Sequence, residues 1–153
     1  MTSRGLLARA DQVIQWLSGA RHETQEGRTP ITRLILLVDD DVGVRTVLTD
    51  MLEVLDHRVE LANTGEDALT LLAARSYDVI LTDFQLPGMD GAEFYRRIEE
   101  QWPHLARRVA FVTGRAPNDL GVRSGDASVP ILGKPFTFES LEAAIAAVLA
   151  RVT

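Results

Sequence analysis

Asp39, Asp40 and Asp41 follow directly on the apolar run Leu34 to Val38, and Asp83 follows the run from Val79 to Thr82. Carboxylates crowded against apolar chain repel one another and resist ionising together unless a cation neutralises them. A donor set of oxygens alone, with no His or Cys among them, suits a hard divalent ion such as Mg²⁺. Of the sixteen Lys and Arg residues only Lys134 is a lysine, and Pro135 follows it. A lysine offers a compact ammonium on a flexible stem, where arginine brings a planar fork that needs more room. Thr113 and Gly114 close a further apolar run that starts at Val109.

These residues need elements that bring them to one place. Leu34 to Val38 is continuous and strand-length, as expected of a strand buried on both faces of a parallel sheet. Val59 to Ala62, Val79 to Thr82, Val109 to Thr113 and Val129 to Leu132 repeat the pattern. Between them Val42 to Leu55 is apolar at helical period, Thr64 to Ala74 opens on a Thr-x-x-Asp capping box, and Asp90 caps a third helix that ends near Pro103. A last helix starts at Thr137, with Phe138, Leu141, Ile145 and Val148 on one stripe. Gly114 to Pro130, with Pro117, Gly121 and Gly125, predicts only a short, irregular fourth helix. The alternation implies an α/β fold with a doubly wound five-stranded parallel sheet. In such sheets ligands bind outside the carboxyl ends of the strands, where the aspartates, Thr113 and Lys134 all fall. Asp41, third in its run, reads as the cap of the first helix, and His22, His57 and His104 read as surface residues in or beside loops.

Composition narrows the function further. The net charge of −6 and pI near 5.0 lack the basic face that phosphate neutralisation requires, so nucleic acid is not expected as a partner. The absence of cysteine removes disulfides, thiolate metal sites and thiol nucleophiles. No stretch reaches the roughly 20 apolar residues that span a bilayer, and a cytoplasmic location without membrane contact is expected. Residues 1–33 carry five Arg against three acids, net +2, and the remainder eleven basic against nineteen acidic residues, net −8. Leu6, Leu7, Ala10, Val13, Ile14 and Leu17 recur at helical spacing, and Ser18 to Arg33 is polar. The division expected is an amphipathic helix and linker over 1–33, then one domain over 34–153.

Val38-Asp39-Asp40, the stretch Asp83-Phe84-Gln85-Leu86-Pro87-Gly88-Met89-Asp90-Gly91, Thr113-Gly114 and Lys134-Pro135-Phe136 together resemble the receiver domains of response regulators in two-component phosphorelays. The resemblance covers roughly Leu34 to Val152 and implies a flavodoxin-like sheet of order 2-1-3-4-5. It also implies that Asp83 is the phosphoacceptor. Asp40, Asp83 and the backbone carbonyl of Gln85 would ligate Mg²⁺ or Mn²⁺, and Asp39 would act through a water. Thr113 and Lys134 would contact phosphoryl oxygens, and Gly114 would leave that site open. A cis peptide is implied at Lys134-Pro135, and Gln85 and Arg115 fall where the family tunes phosphoryl lifetime. The chain departs from the family at Ile131, where many members carry a switching aromatic.

The function expected is a single-domain response regulator with no enzymatic activity beyond self-phosphorylation and autodephosphorylation. The alternatives are the C-terminal receiver of a hybrid histidine kinase and a phosphate-sink receiver. A sensor histidine kinase or a phosphotransfer protein is the expected partner. A homodimer would form through the N-terminal helix or through the face of the fourth helix, fifth strand and last helix. Enzymes with an aspartyl nucleophile on a similar sheet resemble Asp-x-Asp, and Asp83-Phe84-Gln85 lacks the second acid.

Overall fold

The computed structural model describes residues 32–114 and 129–152. The N-terminal amphipathic helix, the irregular fourth helix and Arg115 lie outside the described residues. The elements in chain order are β1 (Leu34–Val38), α1 (Val42–Val54), β2 (Arg58–Ala62), α2 (Gly65–Ala74), β3 (Val79–Asp83), α3 (Gly91–Gln101), α4 (Pro103–Ala106), β4 (Val109–Thr113), β5 (Ile131–Gly133) and α5 (Phe138–Arg151). The strands form one parallel sheet in the order β2-β1-β3-β4-β5.

Alternation along each strand divides the core between the two faces. Leu36, Val38, Ile80, Val109 and Phe111 pack with Ala68 and Leu72 of α2 and with Phe94, Tyr95 and Ile98 of α3. Ile35, Leu37, Val79, Leu81, Ala110 and Val112 pack with Leu48, Met51 and Leu52 of α1 and with Leu141, Ile145 and Val148 of α5. Both faces are covered, so the inner strands are apolar along most of their length, with polar residues only toward their carboxyl ends at Thr82, Asp83 and Thr113. Each fully buried Leu, Ile or Phe contributes about 1.5–3 kcal/mol relative to exposure.

The helix starts follow the sequence closely. Asp41 accepts from the Gly43 and Val44 amides, Thr64 from Asp67 N at 3.0 Å and Asp90 from Glu93 N at 2.8 Å. Thr137 and Ser140 form a reciprocal capping box at α5. Three details differ from expectation. Pro103 stops α3 but also opens the extra turn α4, because a proline at the first helical position needs no amide partner. The fifth strand is shifted to Ile131–Gly133, since Pro130 has no amide for a ladder and only its carbonyl accepts, from Phe111 N.

The third detail is His57, which is half-buried at the amino end of the sheet. Its Nδ1 accepts from Arg33 N at 3.2 Å, while Arg33 O accepts from Arg58 N and Asp78 Oδ2 accepts from Leu34 N. The start of β1 is thus clasped from both neighbouring strands. Burial lowers the His57 pKa below 6.5 and Arg33 adds to this, with Asp56 and Asp78 opposing. The unfolded chain therefore protonates His57 first, so its contribution to stability is full above pH 6.5 and declines as pH falls below it. Urea midpoints measured from pH 7 to about 5 should fall, and fall less steeply in His57→Gln. Equal slopes for the two proteins would count against this assignment.

Among the described residues no helix is long and apolar enough to cross a membrane.

Candidate functional site

The sheet order reverses between β1 and β3, and that is where the carboxylates meet. Asp39 follows the last residue of β1 and is fixed by its own amide, which donates to Ala62 O of β2 at 3.1 Å. The residue is only 1% exposed. Oδ1 accepts from Asp41 N at 2.8 Å, whereas Oδ2 is buried with no hydrogen-bond partner. Burial, above all, raises the pKa of this carboxyl; the Asp41 amide and Lys134 oppose the rise, and Asp83 and Asp40 add to it.

Asp83 ends β3 with its side chain 13% exposed. Gln85 N donates to its Oδ1 at 3.2 Å, which fixes the rotation of the carboxylate. Lys134 Nζ stands 3.8 Å from Oδ2. Lys134 is in turn placed by β5, its amide donating to Thr113 O at the end of β4 at 2.9 Å. The Lys134–Pro135 peptide is cis. Thr113 is buried, and Gly114 is exposed, with space for a Cβ 3.9 Å from that of Lys134. Gln85 is exposed, and Ile131 is half-buried against the core of the α2 and α3 face.

The loop from β3 to α3 closes over this rim. Gly88 has φ of 77°, a conformation that side chains disfavour. Gly91 N donates to Phe84 O at 2.6 Å. A Cβ on Gly91 would meet Phe84 Cα at 2.7 Å, Phe84 O at 2.9 Å and Asp83 O at 3.1 Å. The first turn of α3 therefore rests directly on the backbone that carries Asp83. This contact was not read from the sequence, although a glycine just after the cap Asp90 was the available signal.

Asp39, Asp40 and Asp83 each offer an oxygen, and these oxygens lie within 4.8 Å of one another. A cation fits here on the structure's own terms. Oδ2 of Asp39 is a buried acceptor without a donor among the described residues, the ligands are oxygen only, and like charges converge that Lys134 offsets in part. Such a donor set suits Mg²⁺ or Mn²⁺.

The sequence profile described as the response regulator receiver domain matches residues 35–146. The transcriptional regulatory protein AfsQ1 of Streptomyces coelicolor is 39% identical over 124 residues, 76% of this chain and 51% of that protein. The chain thus spans about half the length of the first curated relatives it matches. A probable chemotaxis protein CheY of Rhizobium etli is 31% identical over 118 residues, 74% of this chain and 90% of that protein. Among solved structures, the signal receiver domain of an HD domain-containing protein from Pseudomonas fluorescens Pf-5 superposes with a TM-score of 0.70 at 28% identity. That superposition covers 83% of this chain and 94% of the other. With its sheet order, its acidic rim and a profile match across most of its length, the chain belongs to the response regulator receiver domain family of two-component systems.

Proposed function

We propose that the protein is a phosphorylation switch in which Asp83 accepts a phosphoryl group from a phosphohistidine of a histidine kinase or phosphotransfer protein. The observation that carries this reading is the convergence of the Asp39, Asp40 and Asp83 carboxylates within 4.8 Å, with the Lys134 ammonium 3.8 Å from Asp83 Oδ2. Phosphoryl transfer needs in-line positioning and neutralisation of charge on the equatorial oxygens, with little other chemistry from the protein.

In the transfer an Asp83 oxygen forms the new bond to phosphorus as the phosphorus–nitrogen bond breaks, and the histidine keeps the bonding electron pair. Gln85 N–H holds Oδ1 of Asp83, so the carboxylate is oriented before the donor arrives. Lys134 then exchanges its pairing with the carboxylate for a phosphoryl oxygen, and the Thr113 hydroxyl donates to another. Asp40, Asp83 and the Gln85 carbonyl would hold Mg²⁺ or Mn²⁺, with Asp39 one water removed. When bound, the ion would offset the carboxylates and the charge of the transferred group. Action as a single-domain response regulator is supported by the match to nearly the full length of the Rhizobium etli chemotaxis relative.

Incubation with acetyl phosphate and Mg²⁺, followed by intact mass measurement, should show the gain of a single phosphoryl group. Asp83→Asn should show none. A gain that persists in this variant, or no Mg²⁺-dependent gain in the parent, overturns the reading.

A further inference from the structure

Three aromatic side chains form a continuous path from the acidic rim to helix α3. Phe84, the residue after Asp83, meets Phe111 edge-to-face, with ring centroids 5.4 Å apart and planes at 73°. Phe111 meets Tyr95 of α3 at 5.9 Å and 53°. All three are buried, Phe84 at 5%, Phe111 at 0% and Tyr95 at 3% exposure. At its far end Tyr95 lines a surface cleft of about 330 Å³ with Glu99, Pro103 and Arg107.

Each strand of the pair that frames the site is joined to one of these rings, Phe84 directly after β3 and Phe111 within β4. Phe84 is pinned on the backbone side, its carbonyl accepting from Gly91 N at 2.6 Å. Phe111 lies opposite Thr82 in the β3–β4 register and two residues before Thr113. A movement of Asp83 or of Thr113 therefore acts on a buried ring in contact with the next, and close-packed interiors pass displacement on. Phe111 sits where the two movements meet, and Tyr95 is the next side chain in line.

We propose that the Phe84, Phe111 and Tyr95 rings are a relay that reports the phosphorylation of Asp83 to the α3 surface at Tyr95. The inference rests on the reading of Asp83 as phosphoacceptor. It gives this chain an outlet through α3 that does not involve the side chain at Ile131.

The chain has two tyrosines, which provides an internal control. Tyr77 is also buried, but its hydroxyl donates to Glu60 Oε1 at 2.5 Å and it lies outside the ring path. The full chain is labelled with 3-fluorotyrosine, and fluorine NMR spectra are recorded with Mg²⁺ before and after acetyl phosphate, with intact mass on the same samples. The Tyr95 resonance should move with the fraction of phosphorylated protein while the Tyr77 resonance stays in place. Phe111→Leu should abolish the Tyr95 movement and keep the mass gain, and Phe84→Leu should do the same if Phe111→Leu does not fold. A mass gain with Tyr95 silent, with both tyrosines moving alike, or with an undiminished Tyr95 response in a folded ring variant overturns the relay and leaves the phosphoacceptor reading standing. Absence of the mass gain overturns that reading, and the relay falls with it.

Discussion

Alanine in place of Gly91 is expected to lower stability by about 3 kcal/mol, near the top of the usual range for overpacking. The atoms a Cβ would meet, at 2.7 to 3.1 Å, are the backbone of Asp83 and Phe84, which cannot rotate aside as a side chain would. Relief requires the first turn of α3 to lift, which lengthens the 2.6 Å bond from Gly91 N to Phe84 O. The intrinsic helix preference of alanine over glycine, roughly 1 kcal/mol, opposes the loss without cancelling it. Because the displaced backbone carries Asp83, Mg²⁺ should also bind more weakly to the folded variant. Gly133→Ala is the matched control: among the described residues, its two chain neighbours aside, no heavy atom lies within 4 Å of its added Cβ, so its stability should stay within about 0.5 kcal/mol of the parent. Urea unfolding of both variants checks this, and a Gly91→Ala protein as stable as the parent would refute the close contact.

Asparagine in place of Asp39 should act in opposite directions with and without Mg²⁺. In the metal-free protein the Asp39 carboxylate is buried, with one oxygen lacking any donor and two other carboxylates nearby. The amide keeps the acceptor for Asp41 N, removes the charge and offers a donor to the neighbouring carboxylates. Metal-free stability should rise by about 1–2 kcal/mol, in line with the cost of an uncompensated buried polar group. Mg²⁺ at about 100 times its Kd stabilises a protein that binds it only when folded by about 2.7 kcal/mol. The parent should gain that amount and the variant much less, so the stability ranking narrows or reverses on adding the ion. A variant less stable than the parent without metal would contradict the electrostatic account of this rim.

Those two residues also mark what could and could not be read from the chain. Asp39 was legible because a strand buried on both faces must be a continuous apolar run, so Leu34 to Val38 located both the strand and the acids at its end. The caps Asp41, Thr64, Asp90 and Thr137 were legible because each acts on amides within a few residues of itself. Gly91 was visible as a motif residue, but its contact is with a backbone seven positions away, and only the closed loop reveals it. The place of His57 depends on the pairing of β1 with β2, which turns a loop histidine into the acceptor for Arg33 N. The ring path depends on the crossover from β3 through α3 to β4, which brings residues 84, 95 and 111 together. Glu60 is similar: a charged residue inside β2 finds its partners in Tyr77 and Arg75, well beyond the reach of local pattern.

The central claim is that phosphorylation occurs on the Asp83 carboxylate and nowhere else. An acyl phosphate is reduced by borohydride to the corresponding alcohol, which turns a phosphorylated aspartate into homoserine and leaves free aspartate unchanged. The protein treated with acetyl phosphate and Mg²⁺ is reduced, digested and sequenced by tandem mass spectrometry. Homoserine at position 83 alone, with Asp39, Asp40 and Asp41 intact, is the result expected. Homoserine at one of those three positions, or its absence from position 83 in protein that has gained phosphoryl mass, would contradict it.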